Sequence, residues 1–204
     1  VTHFKPFFLG MLICLAGYVL FYIMIAFSQI YAKSAPTVSE AGYAMGLGFS
    51  PQIFTALLMC SAISLAITIA ISGKYIDIVG RRIWLIWTTV GVALFGLVLP
   101  YFLENGTTLS LFWFLIIGMG LIGMGYGPLA SFLPELFPTH ARYSGASLTY
   151  NIAGLFGASV AAIIALPLNA NYGLKGVGIY LTLNAVLSLI GLWFITETRD
   201  RQLL

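Results

Sequence analysis

The sequence predicts an all-α membrane protein whose 204 residues form a single bundle of six transmembrane helices. Composition is the first observation, since 60% of the residues are hydrophobic and 7% are charged, which is more apolar surface than a soluble domain of this length can bury. The second is that six runs without Asp, Glu, Lys, Arg or His each reach the roughly 20 residues that cross a bilayer. These runs are residues 7–31, 52–73, 83–103, 109–133, 144–168 and 177–196.

The first run predicts a retained helix. It is longer than the apolar region of a secretory signal peptide, and no small-residue cleavage site closes it. Its segment LICLAGYVLFYIMIAF is apolar on every face, unlike a strand of a membrane β-barrel. Tyr18, Tyr22 and Gln29 are spaced by four and seven residues, which places them within about 40° of one another on an α-helix. This face either lines a cavity or hydrogen-bonds to neighbouring helices.

The stretch SGKYIDIVGRR connects the second and third runs and is unusually rich in charge for this chain. We expect Gly73 to end one helix and Gly80 to precede the next, with a sharp turn between them. Asp77 lies between the glycines and is expected to pair with Arg81 or Arg82, or to accept from free N–H groups at the start of a neighbouring helix. The alternative is that the two arginines only anchor the chain at the membrane surface.

The fourth and fifth runs carry small and polar residues that are compatible with helix bending and with substrate contacts. The segment GMGLIGMGYGP has five glycines before Pro128, a composition that permits a kink or local unwinding, with Tyr126 at the weak point. In the fifth run, Tyr150 and Asn151 place polar groups near the cytoplasmic end. Asn151 is expected to contact either a substrate or a partner helix.

Loops and charges predict the orientation. The longest connection, residues 32–51, is rich in Ser, Gly, Pro and Ala and is expected to be a flexible cap on the outer side. The N-terminus, the 74–82 and 134–143 connections and the C-terminus share the other side. That side carries seven of the nine basic residues: Lys5, Lys74, Arg81, Arg82, Arg142, Arg199 and Arg201. The positive-inside rule therefore predicts a multi-pass protein of the cell (inner) membrane with both termini in the cytoplasm.

Several function classes are excluded by what the sequence lacks. The net charge of +3 follows from topology and includes no basic stripe with interleaved aromatics, so no nucleic-acid partner is expected. Cys14 and Cys60 fall inside apolar runs and are expected to pack, so neither a metal site nor a disulfide is predicted. There is no P-loop, no HExxH and no nucleophile elbow, which predicts a protein that is not an enzyme and needs no cofactor.

Two motifs resemble the major facilitator superfamily. The spacing G-x-x-x-D-x-x-G-R-R, formed here by Gly73, Asp77, Gly80, Arg81 and Arg82, is similar to the signature between the second and third helices of each six-helix half. The segment PELFPTHARYSGASLTYN resembles the pattern E-L-F-P-x-x-x-R-Y-x-G-A-S of the metabolite:proton symporter group, and ETRDR resembles that group's C-terminal end. Its matching residues include Glu135, Arg142 and Gly145. Members carry shikimate, 2-oxoglutarate, proline, betaine or related small metabolites.

The resemblance implies the C-terminal half of a twelve-helix secondary transporter, whose partners are a small metabolite, the lipid bilayer and a missing N-terminal half. It implies that the 72–82 segment is a cytoplasmic latch, with Asp77 as the capping carboxylate and Arg81 and Arg82 as its pairing cations. Glu135 and Arg142 form a second charge cluster in this interpretation; alternatively they are solvated loop charges. Proton coupling requires a titratable group in the membrane, and since none of the six runs has one, it must lie on the missing half.

Other interpretations stay open. A residual membrane protein from a truncated or split gene would have no transport activity. A homodimer of this half would rebuild a cleft without a buried titratable group, and so predicts uniport at best. A sugar porter half shares the G-R-R and P-E-x-F-P elements, although those carriers usually end in PETKG where this chain has TETRDR.

Overall fold

The computed structural model describes residues 4–195, so the closing ETRDR segment lies outside the described part. Four helices come first: α1 is Phe4–Lys33, α2 is Pro51–Val79, α3 is Arg81–Glu104 and α4 is Thr108–Glu135. A short 3-10 turn, Thr139–Ala141, leads into a long helical stretch made of Arg142–Gly154, the π turn Leu155–Ser159 and Val160–Phe194. Within residues 4–195 there is no β-strand, so the prediction of an all-α fold is confirmed.

The long helical stretch is divided into two helices at one residue. Its backbone leaves the helical region at Gly173, where φ is 67° and ψ is −170°, a conformation that favours glycine. We number the two parts α5 (residues 142–172) and α6 (residues 174–194). The change of direction between α5 and α6 occurs at this one residue, and α6 packs on α1 and α3.

Connections alternate between the two ends of the bundle. We call the end that holds Asp77, Arg81, Glu135 and Arg142 the charged end. The opposite end, with the connection 34–50 and the break at Gly173, is the hairpin end. Five helices of the described chain are long and apolar enough to cross a membrane, and many large apolar side chains are exposed on them, Trp193 by 75%. These features identify a multi-pass membrane protein.

The expectation that Gly73 ends a helix is wrong. Helix α2 continues through Gly73 and Asp77 to Val79, and Gly80 alone separates it from α3. Gly80 has φ 102° and ψ 141°, so the whole change of direction occurs at this residue. The charges from Lys74 onward mark where the hydrocarbon ends, but nothing in residues 74–79 stops helical hydrogen bonding.

The connection 34–50 is also different from the flexible cap that was expected. An isolated antiparallel bridge joins Val38 and Ala44, and backbone bonds from Ser39 N to Tyr43 O (2.8 Å) and Met45 N to Thr37 O (2.9 Å) complete a small hairpin. Small and turn-forming residues, which suggested flexibility, instead permit tight turns.

Close helix contacts depend on small residues. A Cβ on Gly178 of α6 would overlap the carbonyl oxygen of Gly96 in α3, and a Cβ on Gly123 of α4 would overlap Thr68 of α2. Helix α2 packs mainly on α4, and Ser64 Oγ donates to Ile116 O across that seam at 3.0 Å. Helix α1 instead lies inside the bundle, where Met24 and Phe27 are fully buried, and its charged-end part contacts α5 and α6.

Candidate functional site

Three tyrosines from three helices meet on one side of the bundle. Tyr18 of α1 donates from its hydroxyl to the carbonyl oxygen of Tyr150 in α5 at 3.0 Å, and their ring centroids are 5.0 Å apart. The hydroxyl of Tyr150 donates to that of Tyr126 in α4 at 3.1 Å. Tyr126 is 53% exposed, so this tyrosine cluster presents a hydroxyl and ring faces at the surface of the half.

The tyrosine cluster borders a cavity of about 270 Å³ between α1, α2, α3 and α4. None of the described residues that line it is charged. Thr88 and Thr89 are also in the wall, but their hydroxyls donate to Trp84 O (3.0 Å) and Leu85 O (2.7 Å) within their own helix. Since the Tyr18 and Tyr150 hydroxyls also donate within the bundle, the Tyr126 hydroxyl is the tyrosine donor that this cavity can offer to a small molecule.

Close packing around Tyr18 holds the cluster together. Gly154 and Gly157 of α5 lie against this side chain, and a Cβ on Gly157 would come within 2.6 Å of the Tyr18 Cβ. The π turn Leu155–Ser159 thus packs directly on α1 at the depth of the cluster. Single π turns are often found at functional sites in membrane and soluble helices.

The structure separates the other predicted members of the α1 face. Tyr22 donates weakly to Ala162 O at 3.4 Å. A second π turn, Ile23–Phe27, lies between Tyr22 and Gln29. Such a turn holds an additional residue and displaces the helix after it by about 100° from the α-helical register, so the spacing argument for Gln29 does not hold across it. Gln29 is half-buried on the hairpin-end side of the turn.

Asn151 lies next to the tyrosine cluster in sequence, and its side chain is exposed. Its Nδ2 donates to Ser147 O at 2.8 Å, one turn earlier in the same helix. A second, longer contact from the same nitrogen reaches Ser147 Oγ at 3.4 Å, so both of these bonds stay within α5.

At the charged end, Arg81 joins two carboxylates. Its guanidinium lies 3.6 Å from the carboxylate of Asp77, one turn earlier across Gly80, and forms a close ion pair with Glu135 at the end of α4. The Asp77 side chain is 73% exposed, whereas those of Arg81 and Glu135 are 18% and 15% exposed. Because solvent screens the exposed pair more, Arg81–Glu135 is the stronger of the two contacts.

Arg82 has a different task from Arg81. Its Nε donates to Leu192 O at 2.8 Å and its Nη2 to Trp193 O at 3.2 Å. These are terminal carbonyls of α6, which helical bonding leaves without partners, and a cation there also complements the helix dipole. The sequence pattern grouped both arginines as partners of Asp77, and no local signal distinguishes the one that caps α6.

Arg142 borders a wider groove of about 570 Å³ at the charged end, between the end of α4 and the start of α5. Gly145 packs on the ring of Phe137, where a Cβ would approach within 2.5 Å. Arg142 lines the groove, and its buried Nε has no hydrogen-bond partner in the described chain. The expected cluster of Glu135 with Arg142 is therefore replaced by the pair of Glu135 with Arg81, because the end of α4 faces the α2–α3 junction.

Comparison with known proteins gives a consistent set of relatives. A profile of the family described as sugar (and other) transporter matches residues 41–204. A Haemophilus influenzae protein provisionally named as a metabolite transport protein is 91% identical over 99% of this chain and 45% of its own length. The Escherichia coli inner membrane metabolite transport protein YhjE is 40% identical over 98% of this chain and 44% of its own length.

A more distant relative is the proline/betaine transporter of Salmonella typhimurium, which is 32% identical over 65% of this chain and 27% of its own length. The chain thus spans less than half the length of the curated relatives it matches. No solved structure matches the chain.

Proposed function

The chain belongs to the sugar (and other) transporter family of the major facilitator superfamily, and from this premise we propose that it is the C-terminal half of a secondary active carrier for a small metabolite. The observation that carries the proposal is the tyrosine cluster beside an uncharged cavity on an exposed side of the bundle. A cleft between two halves that rock against each other at mid-membrane requires such a surface. This role is transport without chemical conversion, so the protein acts as a carrier and not as an enzyme.

The substrate is a small organic anion or zwitterion, because the cluster combines the hydroxyl donor of Tyr126 with aromatic faces. A carboxylate accepts hydrogen bonds from tyrosine hydroxyls, and an ammonium group is attracted to a tyrosine ring. One relative is named a proline/betaine transporter, which favours zwitterions. The half supplies neutral contacts, and a charge opposite to the substrate comes from the preceding half.

The group that couples transport to protons is likewise assigned to the preceding half. The six apolar runs contain no Asp, Glu or His, and an intramembrane group of one of these types is the usual proton carrier. The coupling group therefore belongs to the preceding half, and the present half contributes substrate contacts and the mobile connections at the charged end.

The charged end faces the cytoplasm, with both termini on that side of the inner membrane, and the Asp77–Arg81–Glu135 bridge serves as a latch. Arg81 ties the end of α2 to the end of α4 in this half. Asp77 is exposed and carries a charge that is available to the preceding half when the cytoplasmic side closes. The Arg142 groove lies on the same end and receives a segment of the preceding half.

Uptake by the full-length carrier tests the proposal. The full-length carrier is expressed in cells without their own proline and betaine carriers. Uptake of labelled proline, glycine betaine, shikimate and 2-oxoglutarate is then measured with and without a protonophore. We expect uptake of one of these compounds that a protonophore abolishes. Uptake of hexoses alone would favour a sugar porter, and a membrane-inserted protein that takes up none would favour a residual protein without transport activity.

Variants of the cavity test the substrate site. Tyr126→Phe keeps the ring but removes the exposed hydroxyl, and should raise KM about threefold to tenfold, the effect of losing one hydrogen bond. Gln29→Ala and Asn151→Ala should also raise KM if their side chains reach the substrate. Tyr101→Phe is the matched control, because Tyr101 is 70% exposed and lies outside the cavity wall. Changes in protein abundance without changes in KM would assign the three residues to packing.

A further inference from the structure

Two helices that border the tyrosine cluster each contain a π turn. In α1 it is Ile23–Phe27, and in α5 it is Leu155–Ser159. Hydrogen bonding is interrupted at such turns, and helices bend there more readily than in regular α-helix. The α1 turn follows Tyr18 toward the hairpin end, and the α5 turn follows Tyr150 in the same direction, with its Gly157 packed against Tyr18. The segments beyond them, residues 28–33 and 160–172, can therefore tilt while the cluster stays in place.

The hairpin 34–50 is bonded to the end of α1 through its backbone. Leu47 N donates to Tyr31 O at 3.1 Å, Gly48 N to Ser34 O at 2.9 Å, and Phe49 N to Ala32 O at 2.8 Å. These acceptors include carbonyls that the last helical turn leaves without partners. Residues 47–49 of the hairpin are therefore held to the end of α1 and should move together with it.

The same hairpin is bonded to the end of α5 through side chains. Ser39 Oγ donates to Ala170 O at 2.7 Å, and Asn169 Nδ2 donates to Ala44 O at 3.1 Å. The ring of Tyr43 packs on Gly173, where a Cβ would approach within 2.6 Å. The hairpin consequently bridges the ends of two helices that are not consecutive in the chain.

Asn169 is the central contact of this bridge. Its side chain is fully buried, and its Oδ1 has no hydrogen-bond partner among the described residues. Because Ala44 O accepts a hydrogen bond, the nitrogen of the amide must face it, and the oxygen must point the other way. A buried polar side chain with one unmet acceptor contributes little to stability as a packing residue, so its placement under the hairpin calls for another explanation.

We propose that the hairpin 34–50 is a strap that makes residues 28–33 of α1 and residues 160–172 of α5 move as one body about the two π turns, with Asn169 as its fastening. Movement of this body changes access to the cavity from the hairpin end. The strap keeps the two segments together, so that access opens or closes on both sides of the cavity at once. Its part in a transport cycle rests on the proposed function, whereas the mechanical coupling does not.

Hydrogen exchange of the purified full-length carrier, followed by mass spectrometry, tests the coupling without any substrate. Asn169→Ala and Ser39→Ala should raise exchange of the 34–50 amides about tenfold, the effect of losing one or two such bonds, and raise exchange of residues 160–172 with it. Asn171→Ala is the matched control, because this exposed amide bonds to Pro167 O of its own helix at 2.9 Å. Exchange in Phe4–Tyr22 should stay unchanged in all three variants.

Exchange that rises in the hairpin while residues 160–172 keep their wild-type rate would overturn the proposal, as would no change in either segment. Ser39→Ala keeps the test decisive if Asn169→Ala does not fold. Glycine betaine uptake is then measured for the same variants. A lower kcat at unchanged KM in Asn169→Ala supports the strap as a gate, and wild-type kcat with uncoupled segments overturns that role. A wild-type carrier that transports no tested compound refutes the proposed function and leaves the exchange result valid.

Discussion

The two ends of the bundle hold their helices together by different means. At the charged end, the long side chains of Arg81 and Arg82 cross between helices to reach carboxylates and terminal carbonyls. At the hairpin end, backbone amides of residues 34–50 and the short, buried side chain of Asn169 do so. Long charged side chains near solvent can exchange partners at small cost, whereas a buried amide cannot. The charged end therefore suits reversible pairing, and the hairpin end suits rigid coupling.

Among the changes that test this difference between the two ends, removal of Arg81 should cause the largest loss of stability. Arg81→Gln leaves Glu135, whose side chain is 15% exposed, without its cation, and we expect the free energy of unfolding to fall by about 3 kcal/mol. Thermal unfolding of the purified full-length carrier measures the loss. Arg81→Lys keeps the charge and should recover most of it. Unfolding of Arg81→Gln at the wild-type temperature would show that the ion pair does not hold the charged end together.

Two glycines of one motif should respond in opposite directions. Gly80→Ala forces an L-residue into φ 102° and should cost about 1–3 kcal/mol. Gly73→Ala should stabilise by about 0.5–1 kcal/mol, because Gly73 is inside α2 and nothing lies within 4 Å of a Cβ there. Unfolding midpoints of the two variants measure both effects. Equal destabilisation by both would mean that the chain turns at each glycine.

Asp77→Asn should separate stability from transport. The Asp77 side chain is 73% exposed, so the free energy of unfolding should change by less than about 1 kcal/mol. Uptake should nevertheless fall, because the latch charge toward the preceding half is lost. Lys74→Gln, on the same exposed part of α2, is the control and should leave uptake unchanged. Wild-type uptake by Asp77→Asn would show that the 72–82 segment only anchors the chain at the membrane surface.

A change of ionic strength should have the smallest effect, a modest rise in amide exchange at the charged end only. High salt screens the exposed Asp77–Arg81 contact and should raise amide exchange around Gly80 about twofold. Exchange in residues 34–50 should stay the same, since neutral hydrogen bonds hold the hairpin. Hydrogen exchange at low and high salt on the same preparation compares the two ends directly. An equal response at both ends would contradict the contrast between them.

Much of the fold follows from the sequence, because each apolar run has to satisfy its backbone internally and span the hydrocarbon. The family resemblance is confirmed by the family profile that matches residues 41–204 and by the relatives of the whole chain. The roles of individual site residues stay predictions. The positions of Tyr18 on α1 and Tyr126 on α4 make them site candidates from sequence. Their contacts with Tyr150 depend on how α1, α4 and α5 pack, and the periodicity of a single helix does not predict that packing.

Three details show where sequence reasoning stops. The partner of Glu135 lies more than fifty residues away along the chain, and nothing in the local sequence points to Arg81 in place of Arg142. The π turn before Gln29 has no compositional signal, because Ile23–Phe27 reads as ordinary apolar helix. Small and turn-forming residues in 34–50 are equally compatible with a flexible loop and a folded strap.

By itself, the sequence determined that the protein spans a membrane and which family it belongs to, because hydrocarbon thickness and backbone hydrogen bonding act on local runs of residues. The tertiary structure alone decided that Arg81 bridges two carboxylates, that Arg82 caps α6, and that a hairpin fastens α5 to α1. These contacts join residues far apart in the chain, and their formation depends on a few ångströms of helix packing that no local pattern encodes.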